Sequence, residues 1–437
     1  MLNINLNQIS KMLLKRFLFI FLCIGPSLVI GQTNIKTMFY NTLNYNSNLE
    51  SQNRTHHLKT ILASVQPDLF MVCEIKNETA SNYLFNNAVL PFHRSFNKAP
   101  FNQGQSPDNS LLQMVYYNTS KLILESNTVI QTGTRDINHY TFIVNTEIYE
   151  TNPIKIEVFV THLKASRGYF NRQKRLSSVD SFIRELDRLP VNSNVLFAGD
   201  FNFYTSNEEG FLSLIDEANS IKIIDPINRL CPTFPDDGKD YFDADYNATY
   251  FWNNSSFSDV HSQSTRSSAL SDGAGGGMDD RFDFIMMSEN LKTNKNLFYK
   301  NGTYKAFGNN GNCYNSYVSN TSCSGEFSQD LRTALYNFSD HLPIIMELET
   351  PKNTLSINKN IVPLTFSSSN IIRDNLSFKI LSSLNINKVT IYNNLGQILK
   401  ELSINNKKET NLHVNSFSKG IYYMKADSYN PIKFVKI

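Results

Sequence analysis

Little net charge, few cysteines and a single long apolar run set the first limits on this chain. Its 437 residues include 41 Lys and Arg against 39 Asp and Glu, a formal charge of +2. A chain this close to neutral has no global positive field, so contact with nucleic acid would depend on local cations and metal. The length suits one large domain and one small domain, and 41% hydrophobic residues are ample for a sizeable core.

Cysteine is scarce, and no spacing between cysteines matches a zinc site. Of the five cysteines, Cys23 lies in the apolar N-terminal run, and Cys73 follows a shorter apolar run that favours a buried thiol. Cys313 and Cys323 lie in a loop rich in Gly, Asn and Ser, where export would permit a disulfide bond. No pattern assigns a role to Cys231.

The long apolar run lies close to the N-terminus. Residues 17–31 follow a basic stretch at residues 11–16 and end in small residues, which predicts a secretory signal peptide over residues 1–31. A membrane anchor is the alternative, although Pro26 breaks a run that is already short. Met12 is a second candidate for the start of translation. We expect the exported chain to be a soluble monomer with no stable membrane insertion.

A short apolar run within Asn194–Phe203 predicts a buried strand of about four to six residues. Gly199 follows it and is expected to let the backbone turn tightly at the strand end. Asp200 and Asn202 come next. A carboxylate and a carboxamide at the mouth of a buried strand suit ligand binding better than core packing, although a capped strand end is the alternative for this stretch taken alone.

Other predicted strand ends carry a polar side chain in the same way. They are Asn41, Glu74, His162, Asp283 and the pair Asp340–His341. Strands alternate with helices early in the chain and pair with strands later, which favours stacked sheets with helices outside. These positions are spread over 300 residues, so they can meet only if the fold gathers one rim of the sheets.

The chemistry of this set points to phosphate esters. Acids and amides are hard oxygen donors, which suit Mg²⁺ or Ca²⁺ and not zinc. Hydrolysis of a phosphodiester needs a metal to neutralise phosphate oxygens, a base for water and donors that stabilise the transition state. An Asp–His pair supplies an oriented imidazole whose charged form the acid stabilises.

Taken together and in this order, these motifs resemble the endonuclease/exonuclease/phosphatase superfamily, which has the DNase-I-like fold. The resemblance covers about residues 33–350. It implies an α+β fold, a four-layer α/β/β/α sandwich, and a metal-dependent phosphodiester hydrolase that uses Mg²⁺, with Mn²⁺ or Ca²⁺ as alternatives.

The resemblance implies roles for the metal-facing and water-facing residues. Glu74 would coordinate the metal, with Asn41 nearby. Asp200 would activate or orient the attacking water. Asn202 would orient Asp200 or hold a phosphate oxygen. Asp340 would orient this corner of the site or touch a second metal.

The same resemblance implies a set of phosphate-facing residues. His341 would contact the phosphate and act in proton transfer, paired with Asp283. His162 would be the other phosphate-facing histidine. Arg135 would contact phosphate, with a solvated loop arginine as the alternative. Lys164 is a further phosphate contact or a solvated lysine.

The segment 251–283 resembles an insert found in secreted bacterial nucleases of this superfamily. Gln263 and Arg266 would then shape the substrate groove, although an ordered loop without such a role is equally consistent with the sequence. Tyr117 is a candidate phenol of the site, and a core tyrosine is the stronger interpretation.

The C-terminal segment has a separate character. Residues 351–369, rich in Pro, Asn and Ser, predict a linker, and residues 370–437 predict a small β-sandwich. The stretches 389–396, 419–423 and 433–437 resemble the type IX secretion sorting domain, with a generic β-sandwich as the alternative. The resemblance implies recognition by the type IX export machinery and a secreted or cell-surface location.

The leading hypothesis is therefore an exported, Mg²⁺-dependent phosphodiesterase, most simply an endonuclease acting on DNA or RNA. A sphingomyelinase-like or inositol-phosphate hydrolase is the first alternative, although the sequence shows no long apolar loop for docking on lipid. A non-catalytic surface-binding module is the second alternative, and it is disfavoured because every catalytic position is filled.

Overall fold

The computed structural model describes residues 33–437 with gaps at 147–151, 243–247, 269, 271, 352–362, 368, 381–385, 405–408 and 428–430. The predicted signal peptide and most of the predicted linker lie outside the described residues. The chain divides into two compact units, the first of which ends at residue 356.

Two β-sheets form the centre of the first unit. In chain order the strands are β1 (Asn34–Tyr45), β2 (Leu69–Ile75), β3 (Phe96–Lys98), β4 (Leu112–Asn118), β5 (Leu122–Ile130), β6 (Ile137–Val144), β7 (Lys155–His162), β8 (Val195–Asp200), β9 (Ile223–Ile224), β10 (Asp283–Ser288), β11 (Phe298–Tyr299), β12 (Lys305–Ala306) and β13 (Ile344–Glu349). The first sheet has the order β11-β13-β1-β2-β4-β3, with β12 beside β13. The second sheet has the order β5-β6-β7-β8-β10-β9.

The helices connect these strands. They are α1 (Leu49–Val65), α2 (Glu78–Leu84), α3 (Leu90–Phe92), α4 (Tyr169–Leu186), α5 (Glu209–Leu214) and α6 (Gln329–Phe338), with a π-helical turn over Phe85–Val89 and short 3₁₀ turns at Ala248–Tyr250, Ser255–Phe257 and Glu289–Lys292. Asn48 and Ser328 cap α1 and α6, because each side chain accepts from a backbone N–H in the first turn. Helix α4 begins directly after Gly168 and ends at Leu186.

The sheets and helices form four layers. Leu58 of α1 and Leu335 of α6 share a core with the first sheet. On the other side, Phe182 of α4 stacks on Phe197 of β8 with ring centroids 3.9 Å apart and meets Phe159 of β7 edge-on at 5.0 Å. Each buried Phe contributes about 1.5–3 kcal/mol to stability. The expected four-layer α/β/β/α sandwich is confirmed.

Two smaller sheets form the second unit. Its strands are β14 (Leu364–Phe366), β15 (Ile371–Ile372), β16 (Asn375–Ile380), β17 (Lys388–Asn393), β18 (Ile398–Ser403), β19 (Glu409–His413), β20 (Gly420–Ala426) and β21 (Ile432–Lys436). They pair as β14-β16-β19 and as β15-β21-β20-β17-β18. Phe378, Ile391 and Phe434 belong to one buried core, so the expected small β domain is confirmed.

The cysteines and the hydrophobic segments complete the description. Cys313 and Cys323 form a disulfide bond, as export would permit. Cys73 and Cys231 are buried free thiols. Among the helices of the described residues, none is both long and apolar enough to span a membrane.

Candidate active site

The strand order brings the predicted polar positions to one edge of both sheets. β1 runs parallel to β2, with Asn41 beside Cys73, and β7 runs parallel to β8, with His162 beside Asp200. β10 is antiparallel to β8, so Asp283, its first residue, also lies beside Asp200. β13 is antiparallel to β1, so the Asp–His pair that precedes β13 lies at the same edge.

The alternation of side chains along the strands then decides which way these groups face. On β8, Phe197 packs in the core under α4, whereas Ala198 packs in the core shared with the first sheet. Successive side chains point to opposite faces, so Asp200 lies on the face turned towards the first sheet. The same parity applies to His162 on β7 and to Asp283 on β10.

Asn41 lies between the acids of the two sheets. Its Nδ2 donates to Oε1 of Glu74 at 3.0 Å and to Oδ2 of Asp200 at 3.1 Å. Its Oδ1 accepts from the backbone N–H of Leu43 at 2.9 Å. Asn41 therefore orients both carboxylates through its amide nitrogen, and metal ligation through its oxygen stays a prediction.

Glu74 lies inside β2, one residue before its end, and has an uncommon backbone conformation. Its φ is 62°, in the left-handed region that non-glycine residues rarely adopt. Its Oε2 accepts from the backbone N–H of Asn44 at 2.7 Å. The second carboxylate oxygen, Oε1, lies 3.9 Å from Nε2 of His162. The turn at Glu74 thus directs its side chain towards the second sheet.

The predicted role of Gly199 was wrong. Gly199 lies inside β8, which continues to Asp200. A Cβ at this position would lie 2.6 Å from the carbonyl oxygen of Thr161, so glycine allows close contact with β7. The turn occurs at Asn202, whose φ is 52°. Its Nδ2 donates to Oδ1 of Asp200 at 2.8 Å and so holds that carboxylate in place.

A hydrogen-bonded imidazole–carboxylate pair forms the other side of the site. Nδ1 of His341 lies 2.7 Å from Oδ2 of Asp283, and the same oxygen accepts from the hydroxyl of Ser262 at 2.6 Å. The backbone N–H of His341 donates to Oγ of Ser339, whose hydroxyl donates to the carbonyl of Asn41 at 2.7 Å. Nε2 of His341, the nitrogen not bound to Asp283, faces the acids of the opposite strands.

Burial and the neighbouring charges shift the pKa values of the site groups in different directions. Burial raises the pKa of Asp200 to about 8; Asp283 and Glu74 add to the effect and His341 opposes it. Burial works against the charge of His341, but Asp283 and its acidic neighbours raise the imidazole pKa well above its ordinary value. Burial lowers the pKa of His162 well below its ordinary value. The site thus holds one charged and one neutral imidazole.

Asp340 and Gln263 lie at the margin of this cluster. Oδ2 of Asp340 accepts from the backbone N–H of Ala274 at 2.6 Å, and its Oδ1 is buried with no hydrogen-bond partner among the described residues. Nε2 of Gln263 lies 3.1 Å from Nε2 of His341. Gln263 therefore lies at the site, and its role in shaping a substrate groove stays a prediction.

Arg266, the other candidate groove residue, has a different position. It is buried, donates to the carbonyls of Tyr336 and Asn337, and pairs with Asp272 at 2.8 Å. These contacts anchor the insert to the end of α6. Tyr117 lies on β4 beside Leu69, at the start of β2, and is a buried core residue.

Two arginines hold the loop that follows His162. Arg135 is buried; its Nε donates to Asp108 at 2.8 Å and its Nη1 to the carbonyl of Leu163 at 3.1 Å. Arg175 is fully buried, pairs with Glu208 and donates to carbonyls of the same loop. Arg135 is therefore seen to position the loop, and its contact with phosphate stays a prediction.

The residues present fit a divalent cation. Ligand atoms of Glu74, His162 and Asp200 lie within 4.8 Å of one another, and so do those of Asp200, Asp283 and His341. Carboxylates this close repel each other unless a cation or a proton lies between them. Oδ1 of Asp283 is buried without a hydrogen-bond partner among the described residues. Oxygen-rich donors of this kind suit Mg²⁺, Mn²⁺ or Ca²⁺.

Sequence reasoning missed some residues that touch the site. No local pattern marks Ser262, which comes from a loop, whereas Ser339 belongs to the Ser-Asp-His motif and was assigned no role. Asp280 was missed as well. It is partly buried, and burial together with Asp279 raises its pKa to about 7.

The C-terminal residues have a match among known families. Residues 371–437 match the family described as the secretion system C-terminal sorting domain. This segment is similar to that family. The expected C-terminal sorting domain is thus confirmed, whereas its bounds stay a prediction, and it indicates an extracellular or cell-surface location. No curated protein matches the chain.

Solved structures match the first unit. They include the human Nocturnin catalytic domain with bound sulfate anion, D. rerio TDP2 complexed with single strand DNA product, and an endonuclease/exonuclease/phosphatase family protein from Bacteroides thetaiotaomicron. The Nocturnin domain is 14% identical, the match covers 73% of this chain and 98% of that one, and the TM-score is 0.44. For D. rerio TDP2 the identity is 15%, the coverage 73% and 100%, and the TM-score 0.44. For the Bacteroides thetaiotaomicron protein the identity is 14%, the coverage 74% and 99%, and the TM-score 0.43. The third of these carries the name of the expected superfamily. The fold assignment rests on the four layers described above.

Proposed function

We propose that this protein is an exported phosphodiesterase that hydrolyses nucleic acid with a bound divalent cation. The observation that supports this most strongly is the juxtaposition of two different groups at one edge of both sheets. One is the Asp283–His341 pair with its charged imidazole, and the other is Glu74 with Asp200, whose ligand atoms lie within 4.8 Å of each other. One group suits a phosphate and the other suits a cation.

Each side chain has a distinct role in this proposal. Asp283 stabilises the imidazolium of His341, whose Nε2 donates to a non-bridging phosphate oxygen and supports the charge that develops there. With a cation nearby to favour its ionised form, Asp200 orients the attacking water and accepts its proton, while Asn202 holds that carboxylate. His162, neutral because it is buried, acts as a second hydrogen-bond donor to the phosphate.

A divalent cation fits beside these groups. Glu74 and Asp200 would hold it, with Asp340 nearby. When bound, the cation supplies charge neutralisation of the phosphate oxygens. The Asn41 amide donates to both carboxylates and fixes their orientation, so the ligand groups are already ordered before the ion binds.

The test separates substrates of the same chemistry. The purified full-length chain is incubated with plasmid DNA, RNA, sphingomyelin vesicles or inositol phosphates, with Mg²⁺ or with EDTA. We expect Mg²⁺-dependent cleavage of nucleic acid. His341→Ala and Asp200→Ala should each lose at least about a hundredfold in rate, whereas His56→Ala, at an exposed histidine of α1, should keep full activity.

Two outcomes would contradict the proposal. If plasmid and RNA stay intact while sphingomyelin or inositol phosphates are cleaved, the substrate class is wrong. If nucleic acid is cleaved equally well by both active-site variants, the assignment of the site is wrong.

A further inference from the structure

An exposed aromatic pair stands at the start of α4. Tyr169 and Phe170 leave 59% and 79% of their surfaces exposed. The two rings are edge to face with centroids 5.7 Å apart. Isolated exposed apolar residues are normal on protein surfaces, so the pair indicates a binding site only if the residues around it support one.

An arginine and a third aromatic ring extend this surface. The guanidinium carbon of Arg167 lies 4.7 Å from the ring centroid of Tyr204. That of Arg172 lies 3.7 Å from the ring centroid of Phe242 and 5.8 Å from that of Tyr169. We call Arg167, Tyr169, Phe170 and Tyr204 the stacking surface.

The stacking surface adjoins the candidate active site through both of its chain segments. Arg167 comes five residues after His162, and Tyr204 comes two residues after Asn202. The ring of Tyr204 lies 4.8 Å from that of Phe282, the residue directly before Asp283. Three residues of chain span at most about 11 Å, so the exposed pair lies close to Arg167.

The chain segment that carries Arg167, Tyr169 and Phe170 is positively charged, although Asp279 and Asp280 are near enough to Arg167 for their charges to interact with it. Residues 163–179 contain no acid and five cations: Lys164, Arg167, Arg172, Lys174 and Arg175. Arg175 pairs with Glu208 and Arg172 approaches Glu209, whereas the remaining three form no ion pair within the described part of the chain. These unpaired charges complement a phosphate backbone, although the whole chain is nearly neutral.

We propose that the stacking surface binds the bases of single-stranded nucleic acid next to the scissile phosphate. Aromatic rings and arginine planes stack on bases that are not paired in a helix. Lys164 and Lys174 lie beside it and contact the phosphates. This inference rests on the proposed function and narrows its substrate to single strands, because an intact duplex hides the base faces that the surface would bind.

A binding experiment isolates the contribution of the bases. Affinities of the full-length chain for a twelve-residue oligothymidylate and for an abasic oligomer of the same length are measured by fluorescence anisotropy in EDTA. Both probes carry the same phosphates, so their ratio reports stacking. A stacked base is worth about 1–3 kcal/mol, or about 5- to 150-fold in Kd, so we expect oligothymidylate to bind at least about fivefold more tightly.

Variants of exposed residues test the location. Tyr169→Ala/Phe170→Ala should lower the ratio of the two affinities, because only Arg167 and Tyr204 then remain to stack on bases. Val191→Ala, an exposed apolar residue beyond the other end of α4, should leave it unchanged. The circular dichroism spectrum and the midpoint of thermal unfolding should be the same in all three proteins, which shows that the fold is intact.

The results distinguish this inference from the proposed function. Equal affinities of the wild type for both probes, or an undiminished ratio in the double variant, would overturn the stacking surface. A wild type that prefers oligothymidylate yet cleaves no nucleic acid would support the stacking surface and would instead overturn the hydrolase.

Discussion

Replacing Asp283 with asparagine removes one charge from the centre of the site and little else. The carboxylate is fully buried, and its Oδ2 lies 2.7 Å from Nδ1 of His341. The amide oxygen of asparagine can still accept that hydrogen bond. Asp283→Asn therefore tests whether the negative charge, and not the hydrogen bond alone, supports the imidazolium during the reaction.

The geometry gives the magnitude. Taking the charge centres of the Asp283 carboxylate and the His341 imidazolium as about 4 Å apart, the pair interacts by about 4 kcal/mol at an effective dielectric constant of about 20. Each 1.36 kcal/mol lost in the transition state costs about tenfold in rate, so we expect kcat to fall about a thousandfold. Ser262→Ala removes one hydrogen bond to the same oxygen and keeps the charge, so we expect a loss of only about tenfold.

The assay is Mg²⁺-dependent hydrolysis of nucleic acid at saturating substrate, with circular dichroism to confirm that each variant is folded. A folded Asp283→Asn protein that keeps kcat within threefold of the wild type would refute the reasoning. So would equal losses in Asp283→Asn and Ser262→Ala, because the hydrogen bonds would then account for the whole effect.

Three further perturbations have defined outcomes. Glu74→Gln should raise the Mg²⁺ concentration for half-maximal activity by at least about tenfold, and an unchanged Mg²⁺ titration would exclude Glu74 as a ligand. Asp225→Ala should lower the free energy of unfolding in urea by about 3–5 kcal/mol, because it leaves Arg281 buried without its carboxylate partner. Glu185→Ala, which removes a surface ion pair with Arg188, should lower it by less than about 1 kcal/mol. Losses of similar size in the two variants would contradict this reasoning. Gly199→Ala should cost about 1–3 kcal/mol, because its Cβ would lie 2.6 Å from the neighbouring strand, and an unchanged midpoint of thermal unfolding would show that β7 and β8 separate without cost.

The sequence alone indicated that the first unit has stacked sheets with helices outside and that polar side chains lie at or near the ends of its strands. Apolar runs and helical spacing are local patterns, so a window of about ten residues is enough to recognise a buried strand. Asn41, Glu74 and Asp200 could therefore be singled out before their mutual positions were known. The sorting domain was recognisable for the same reason, since its motifs lie within short stretches.

Only the tertiary structure decided how these positions meet. The parallel register of β7 and β8 places His162 beside Asp200. The antiparallel register of β10 and β8 places Asp283 beside Asp200 as well. Such registers depend on strands far apart in the chain. The contact of Ser262 with Asp283, the close approach of Gly199 to β7 and the buried position of Arg266 follow from packing, which no local pattern records. Polar residue types are local properties of the chain, whereas their distances, burial and pKa values depend on the assembled sheets.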